Sequence, residues 1–277
     1  MSTVTTVTAE DRIPGVRLSP VITLAQRRFR LTVRTPRELF VPLLTPVLFA
    51  LVIAPALKSA LHTGVAYESF VALGTVGLLI PLNTMFSGLS VIVDRDSGAQ
   101  RELLSAPIPR PLLVIGNLVV ALAITAFQVV TLLAFAALRG ISFHATAAGV
   151  GWFAAAAILL AIGMYGVAET LAGRVPVAEE YIARVPAIAI VPWFLAGSLF
   201  PISALPAFLA WFARFLPLTH ALALMRYGLL GDTSGLFHIW GMASVTTMAW
   251  LSLAVVAAFA VLMSAVAVRV FTRSALR

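Results

Sequence analysis

The chain has 277 residues, 61% of them hydrophobic and 11% charged, with a mean hydropathy of +1.02 and a formal net charge of +8. Ordinary soluble domains carry about a quarter charged residues, so this composition excludes a water-covered globule and is that of a polytopic membrane protein. The lack of cysteine excludes disulfide and thiol chemistry, and the positive charge is explained by basic membrane flanks without nucleic-acid binding.

Residues 1–19 are polar, lack a basic-then-apolar leader pattern and are expected to form a disordered tail. The rest, 20–277, reads as one transmembrane domain. It begins with "VITLAQRRFRLTVRTPRELF", where apolar residues interleave with Arg27, Arg28, Arg30 and Arg34 around Phe29. This pattern predicts a basic amphipathic helix over 20–38, lying in the membrane interface and bent at Pro36 into the first span. A bilayer core of about 30 Å takes roughly 20 apolar residues per helix. Six runs approach that length, at about 39–57, 69–93, 112–138, 147–171, 185–203 and 239–268. Pro42, Pro46 and Pro55 are expected to kink the first. No GxxxG occurs within a span, so that helix-pairing motif is absent.

Most of the 19 Lys and Arg residues fall on one side if the N-terminus is cytoplasmic; only Lys58, Arg139, Arg214 and Arg226 fall outside. An even number of spans keeps the basic C-terminus inside. The segment 204–238, apolar but broken by prolines and arginines, is therefore read as a re-entrant or outer-leaflet helical hairpin. The fold class expected is an all-α integral membrane protein with six spans, both termini inside.

The stretch "DRDSGAQRELLSAPIPR", 94–110, stands out as charged between two apolar runs. Ser97 and Gln100 fit a capping box, and Pro107 and Pro109 stop the helix after about two turns. A helix this short is unstable alone in water. On pattern alone, a docking element and a solvated charged loop fit equally well.

The stretch "DRDSGAQRELLSAPIPRPLLVIGNL" resembles the cytoplasmic loop of ABC-2 type transporter permeases, the membrane subunits of bacterial drug, antibiotic and polysaccharide exporters. The matching residues are Asp94, Arg95, Gly98, Glu102, Leu103, Leu104, Ala106, Pro107, Ile108 and Arg110. A second stretch, "AGSLFPISALPAFLAWFARFLPLTHALALMR", is similar to another signature of that family through Gly197, Phe200, Pro201, Leu205, Pro206, Pro217, Leu218, Thr219, His220 and Arg226. Ala196 and Leu216 depart from it. The resemblance implies a permease subunit in a bacterial inner membrane, paired with a second permease copy or paralogue and driven by a separate cytoplasmic ATPase. It implies that residues Asp94, Arg95, Asp96, Gly98, Arg101, Glu102, Leu103, Leu104, Pro107 and Arg110 form a coupling helix on that ATPase. Glu102, Leu103 and Leu104 are the docking residues favoured over the arginines. The second motif would form short helices dipping into the outer leaflet.

Nothing in the chain supplies its own power. No G-x-x-x-x-G-K-[ST] phosphate loop occurs, so ATP and Mg are expected on the partner, no cofactor on this chain, and no enzymatic activity of its own. His62, His144, His220 and His238 lack metal-site spacing and are taken as surface or interface residues. Polar residues inside spans are the pointers to a substrate path: Asn83, Thr84, Ser87 and Ser90 on the second span, Asn117 and Gln128 on the third. The plainer reading, interhelical hydrogen bonding, is preferred. Glu169 is the one embedded carboxyl. An ion-coupled secondary transporter would need more of these, and an intramembrane redox or enzyme subunit would need paired histidines within spans.

Overall fold

A computed structural model describes residues 22–27, 29, 30, 44, 48, 65–105 and 109–274. The described part is helical: α1 (Val65–Asp96), α2 (Ala99–Ser105), α3 (Arg110–Leu138), α4 (Ala147–Ala172), α5 (Ala178–Leu195), α6 (Ala207–Ala213), α7 (Pro217–Leu230), α8 (Ser234–Trp240) and α9 (Val245–Ser274). A single 3₁₀ turn, Ile202–Ala204, precedes α6. The tail 1–19 and nearly all of the expected first span lie outside the described residues, as do Arg28, Arg34 and Pro107. Residues 22–27, 29 and 30 are helical, where the interfacial helix was expected.

Four helices are long and apolar enough to cross a bilayer: Tyr67–Asp96, Arg110–Leu138, Ala147–Ala172 and Val245–Arg273. They correspond to four expected spans, and the first three contain or closely match their apolar runs; the last is shifted, because Gly241, at φ 64°, ends α8 and α9 starts only at Val245, not at 239. α1 continues through Asp94–Asp96, because a helix does not stop where its apolar residues do.

The fifth run differs more. The helix there begins at Ala178 and ends at Leu195 instead of spanning 185–203. Val177 is extended, and Glu179 and Glu180 in the first turn suit the helix dipole, which starts the helix early. Gly197, at φ 80°, turns the chain aside and ends it early. With Arg184, the two glutamates give the 18-residue helix three charges, and it falls outside the four apolar spans. The segment 204–238 holds α6, α7 and the start of α8; α6 and α7 meet at 79°.

α4 is the centre of the bundle, with α9, α1 and α7 packed around it. Its glycines permit the close approaches. A Cβ on Gly166 would meet the backbone of Met263 at 2.6 Å, and one on Gly163 would strike the ring of Phe259. At the other helix pair, Gly149 of α4 and Gly228 of α7 press backbone to backbone. Small residues thus pack this membrane bundle without a GxxxG repeat. Leu73, Leu79, Ile80, Met85, Leu160 and Leu222 fill the interior. Phe127, Val130, Leu138, Trp250, Val261 and Leu262 stay exposed on the outside, as lipid-facing residues do. Gly166→Val is expected to force α4 and α9 apart and lower the thermal unfolding temperature by several degrees, because backbone, unlike a side-chain tip, cannot swing away. Scanning fluorimetry of the purified protein checks this; an unchanged midpoint contradicts it.

Candidate functional site

The charged stretch is divided between two helices. Asp94, Arg95 and Asp96 form the last turn of α1, not a loop. The capping box expected at Ser97 and Gln100 is not formed. The Ser97 amide still bonds back to Val93 O, and its hydroxyl donates to Asp94 O, 3.3 Å. Gly98, at φ 79°, then reverses the chain and starts α2. A left-handed glycine after the last helical turn is a helix stop, and it outcompetes the serine cap.

The arginines on either side of α2 are anchors. Arg95 donates to Ala172 O (3.2 Å), Val175 O (3.1 Å) and Pro176 O (2.7 Å) at the end of α4. Arg110 donates to Thr272 O near the end of α9, 3.4 Å. Both place a cation against the carbonyl end of a helix, where the dipole favours it. Asp94 pairs with Arg27 of the N-terminal helix at 4.0 Å. Leu24 of that helix sits against Gly116 of α3. Leu103 of α2 is half-buried in the same small cluster, which includes Leu113, Tyr165 and Phe271. Glu102 is exposed, as is Asp96 beside Arg95. Arg101 and Leu104 lie on α2. The result is a seven-residue helix lying between two anchored helix ends, the last turn of α1 on α4 and the start of α3 on α9, with Leu103 turned inward and Glu102 outward.

The second motif assembles at the opposite end of the bundle. Arg226 of α7 is only 5% exposed. Its guanidinium donates to Gly197 O (2.8 Å), Ser198 O (3.0 Å) and Phe70 O (3.3 Å) and lies over the Phe70 ring, 3.4 Å from its centroid. The sequence places Arg226 among the outer flanking charges; its partners, at 70 and 197–198, are too far along the chain to be seen there. The same turn is held by Trp193, which donates to Gly74 O at 2.7 Å, and by Tyr67, which donates to Leu199 O at 3.2 Å. Tyr181 fastens the start of α5 to Met85 O. Sequence reasoning misses Tyr67, Tyr181 and Trp193. Their signal is an aromatic ring with a polar tip inside an apolar run.

Pro217 opens α7 at its first turn, and Pro206 precedes α6. Thr219 is buried, whereas Phe200 and Pro201 are exposed. His220 is buried too, not on a surface. Its Nε2 donates to Arg214 O, 2.8 Å, since a carbonyl only accepts. Nδ1 therefore accepts from Ser252 Oγ at 3.2 Å, and that oxygen accepts from Trp240 Nε1 at 2.9 Å. His220 thus ties the α6–α7 bend to α8 and α9. Among the described residues no three metal-ligating side chains converge.

The candidate path residues are scattered between roles. Thr84, Ser87 and Ser90 donate to carbonyls of α1 itself, at Ile80 and Pro81, Thr84 and Ser87. Such back-bonding satisfies a hydroxyl without a neighbour. Asn83 is buried with Nδ2 unpartnered. Gln128 is buried and Asn117 half-buried on α3. Glu169 is buried and accepts from the Tyr165 hydroxyl at 2.9 Å.

Four long apolar helices, lipid-facing residues on the outside and a helical interior held by glycine contacts define a multi-pass membrane protein. The sequence profile of the ABC-2 type transporter family matches residues 20–230, covering both motifs. The chain belongs to that family and is a membrane permease subunit of an ABC transporter, a class that works with an ABC ATPase. No curated protein matches it.

Proposed function

We propose that this chain is the permease of a bacterial inner-membrane exporter, moving a hydrophobic drug, antibiotic, lipid or glycan outward. It has six spans with both termini inside, and it pairs with a second permease copy or paralogue. α2 is the coupling helix on a separate cytoplasmic ATPase. The observation that carries the reading is the setting of α2: Leu103 packs against the cluster that holds Tyr165 of α4 and Phe271 of α9, and the flanking Arg95 of α1 and Arg110 of α3 reach the ends of those same two helices. A push on α2 is therefore delivered to two long spans at once.

Chemistry on the partner then becomes movement here. ATP and Mg act on the ATPase, whose closure displaces α2. The N-terminal helix moves with it through Arg27–Asp94 and the Leu24 contact. α4 and α9 are packed closely at Gly163 and Gly166, so they tilt together and open a passage between protomers. Asn83 supports a path along α1, because its buried amide donor has no partner among the described residues and a substrate or second protomer can satisfy it. The bent α6–α7 pair is the re-entrant hairpin on the outer side, held by Arg226 and His220.

Glu102 is an exposed charge on α2, so Glu102→Arg is expected to reduce co-purification of the ATPase at least tenfold with little change in the permease's own unfolding temperature. Leu103 packs inward and is the wrong residue for this test. Undiminished co-purification of Glu102→Arg contradicts the docking assignment.

A further inference from the structure

Two polar groups at the α7 end of the bundle are buried without a partner. Arg226 is 5% exposed and Thr219 3% exposed, yet Arg226 Nε and Thr219 Oγ1 make no hydrogen bond. Both residues line one cavity of about 20 Å³, together with Gly197, Ser234 and His238. A cavity needs about 10–15 Å³ to take a particle the size of water, so this one has room for a single small particle.

Charge decides which particle. The terminal nitrogens of Arg226 bond only to neutral carbonyls, and its face lies on a neutral ring. Among the described residues, none of the ion pairs within 4 Å includes Arg226. Asp232 is the sole carboxylate among the residues lining this cavity and its larger neighbour of about 430 Å³. It lies in the larger one, with Oδ1 accepting from the Ser234 amide at 2.9 Å, and it acts on the guanidinium through space without an ion-pair contact. A buried cation within an apolar bundle is costly unless paired. Nε–H and the threonine hydroxyl can both donate, so the complementary particle is an acceptor, and a negative one adds a contact counter-charge that the more distant Asp232 does not supply.

We propose that this cavity is a halide site, in which one chloride ion accepts from Arg226 Nε–H and Thr219 Oγ–H and is the counter-ion of the buried guanidinium. The two cavities share Ser234 and His238 as walls, which gives the ion its route from solvent through the larger one. Bound there, it links the turn at 197–201 to α7 and α8.

The test is thermal unfolding of the purified full chain in sodium chloride against sodium gluconate at equal ionic strength. At about tenfold its dissociation constant, chloride raises the midpoint by roughly 3 °C. Bromide substitutes for it, and gluconate, too large for the cavity, does not. Thr219→Val keeps the shape, removes the hydroxyl and loses most of the shift, whereas Thr219→Ser retains it. Should Thr219→Val not fold, Thr219→Ala makes the same deletion with less bulk. Equal midpoints in chloride and gluconate for the unmodified protein mean that water fills the cavity and overturn the proposal. An undiminished chloride shift in the hydroxyl-free variant overturns it as well.

Discussion

Arg226→Lys is expected to lower the unfolding temperature by about 10 °C, equivalent to about 3–5 kcal/mol for breaking a buried charged network. The arginine makes three hydrogen bonds to carbonyls of two separate segments, Phe70 on α1 and Gly197–Ser198 after α5. Its flat face lies on the Phe70 ring at the same time. An ammonium is compact and cannot stack while reaching in three directions. Lysine would leave at least one buried carbonyl unsatisfied and would not stack on the Phe70 ring, while its charge still needs pairing. The turn at 197–199, α1 and α7 should then loosen together. Scanning fluorimetry and size-exclusion chromatography of the two proteins compare them directly. A lysine variant as stable as the original protein would show that the charge alone matters, not the fork.

Gly74→Ala is expected to have a comparable effect from the other side of the same junction. A Cβ on Gly74 would fall well inside contact distance of the Ser198 carbonyl oxygen and 2.9 Å from its carbon. Both are backbone atoms of a turn held by Arg226, so neither can move without breaking those bonds. Displacing the turn also stretches the Trp193–Gly74 hydrogen bond, 2.7 Å, which fastens the end of α5 to α1. One methyl group therefore disturbs two fastenings. Overpacking ordinarily costs about 1–3 kcal/mol, and here the broken hydrogen bonds add to it. The measurement is the unfolding temperature together with the tryptophan emission, compared with and without Trp193→Phe. A stable variant with unchanged fluorescence contradicts the tight α1–turn packing. In the double variant, Arg226→Lys with Gly74→Ala, the losses should be less than additive because both act on one turn.

The long helices are legible in the sequence because a bilayer demands a run of apolar residues of fixed length. Their ends are not, because apolarity marks the lipid core while hydrogen bonding marks the helix. Thus Asp94–Asp96 extend α1. α5 shows the same limit more strongly, with its start set by Val177 and the two glutamates and its end by Gly197. Within the charged stretch, the short helix is visible from its prolines, and its proper cap is not. Ser97 matches a pattern, but only the backbone angle of Gly98 shows which residue stops α1. The anchoring of Arg95 and Arg110 is invisible for another reason. Their acceptors are main-chain carbonyls 77 and 162 residues away in sequence, and a carbonyl leaves no mark on residue identity. Arg226 reads as a flanking charge for the same reason. The glycines of α4 escape a search for GxxxG spacing, because Gly163 and Gly166 sit three apart and serve the same purpose.

On the proposed function, α2 is the surface on which an ATPase acts. Because the chain has no cysteine, Glu102→Cys places a single thiol on that helix. In membranes containing both subunits, a short thiol cross-linker should join Glu102→Cys to the ATPase, while Arg139→Cys at the far end of α3 should give no product. Cross-linking from position 139 and none from position 102 would contradict docking on α2.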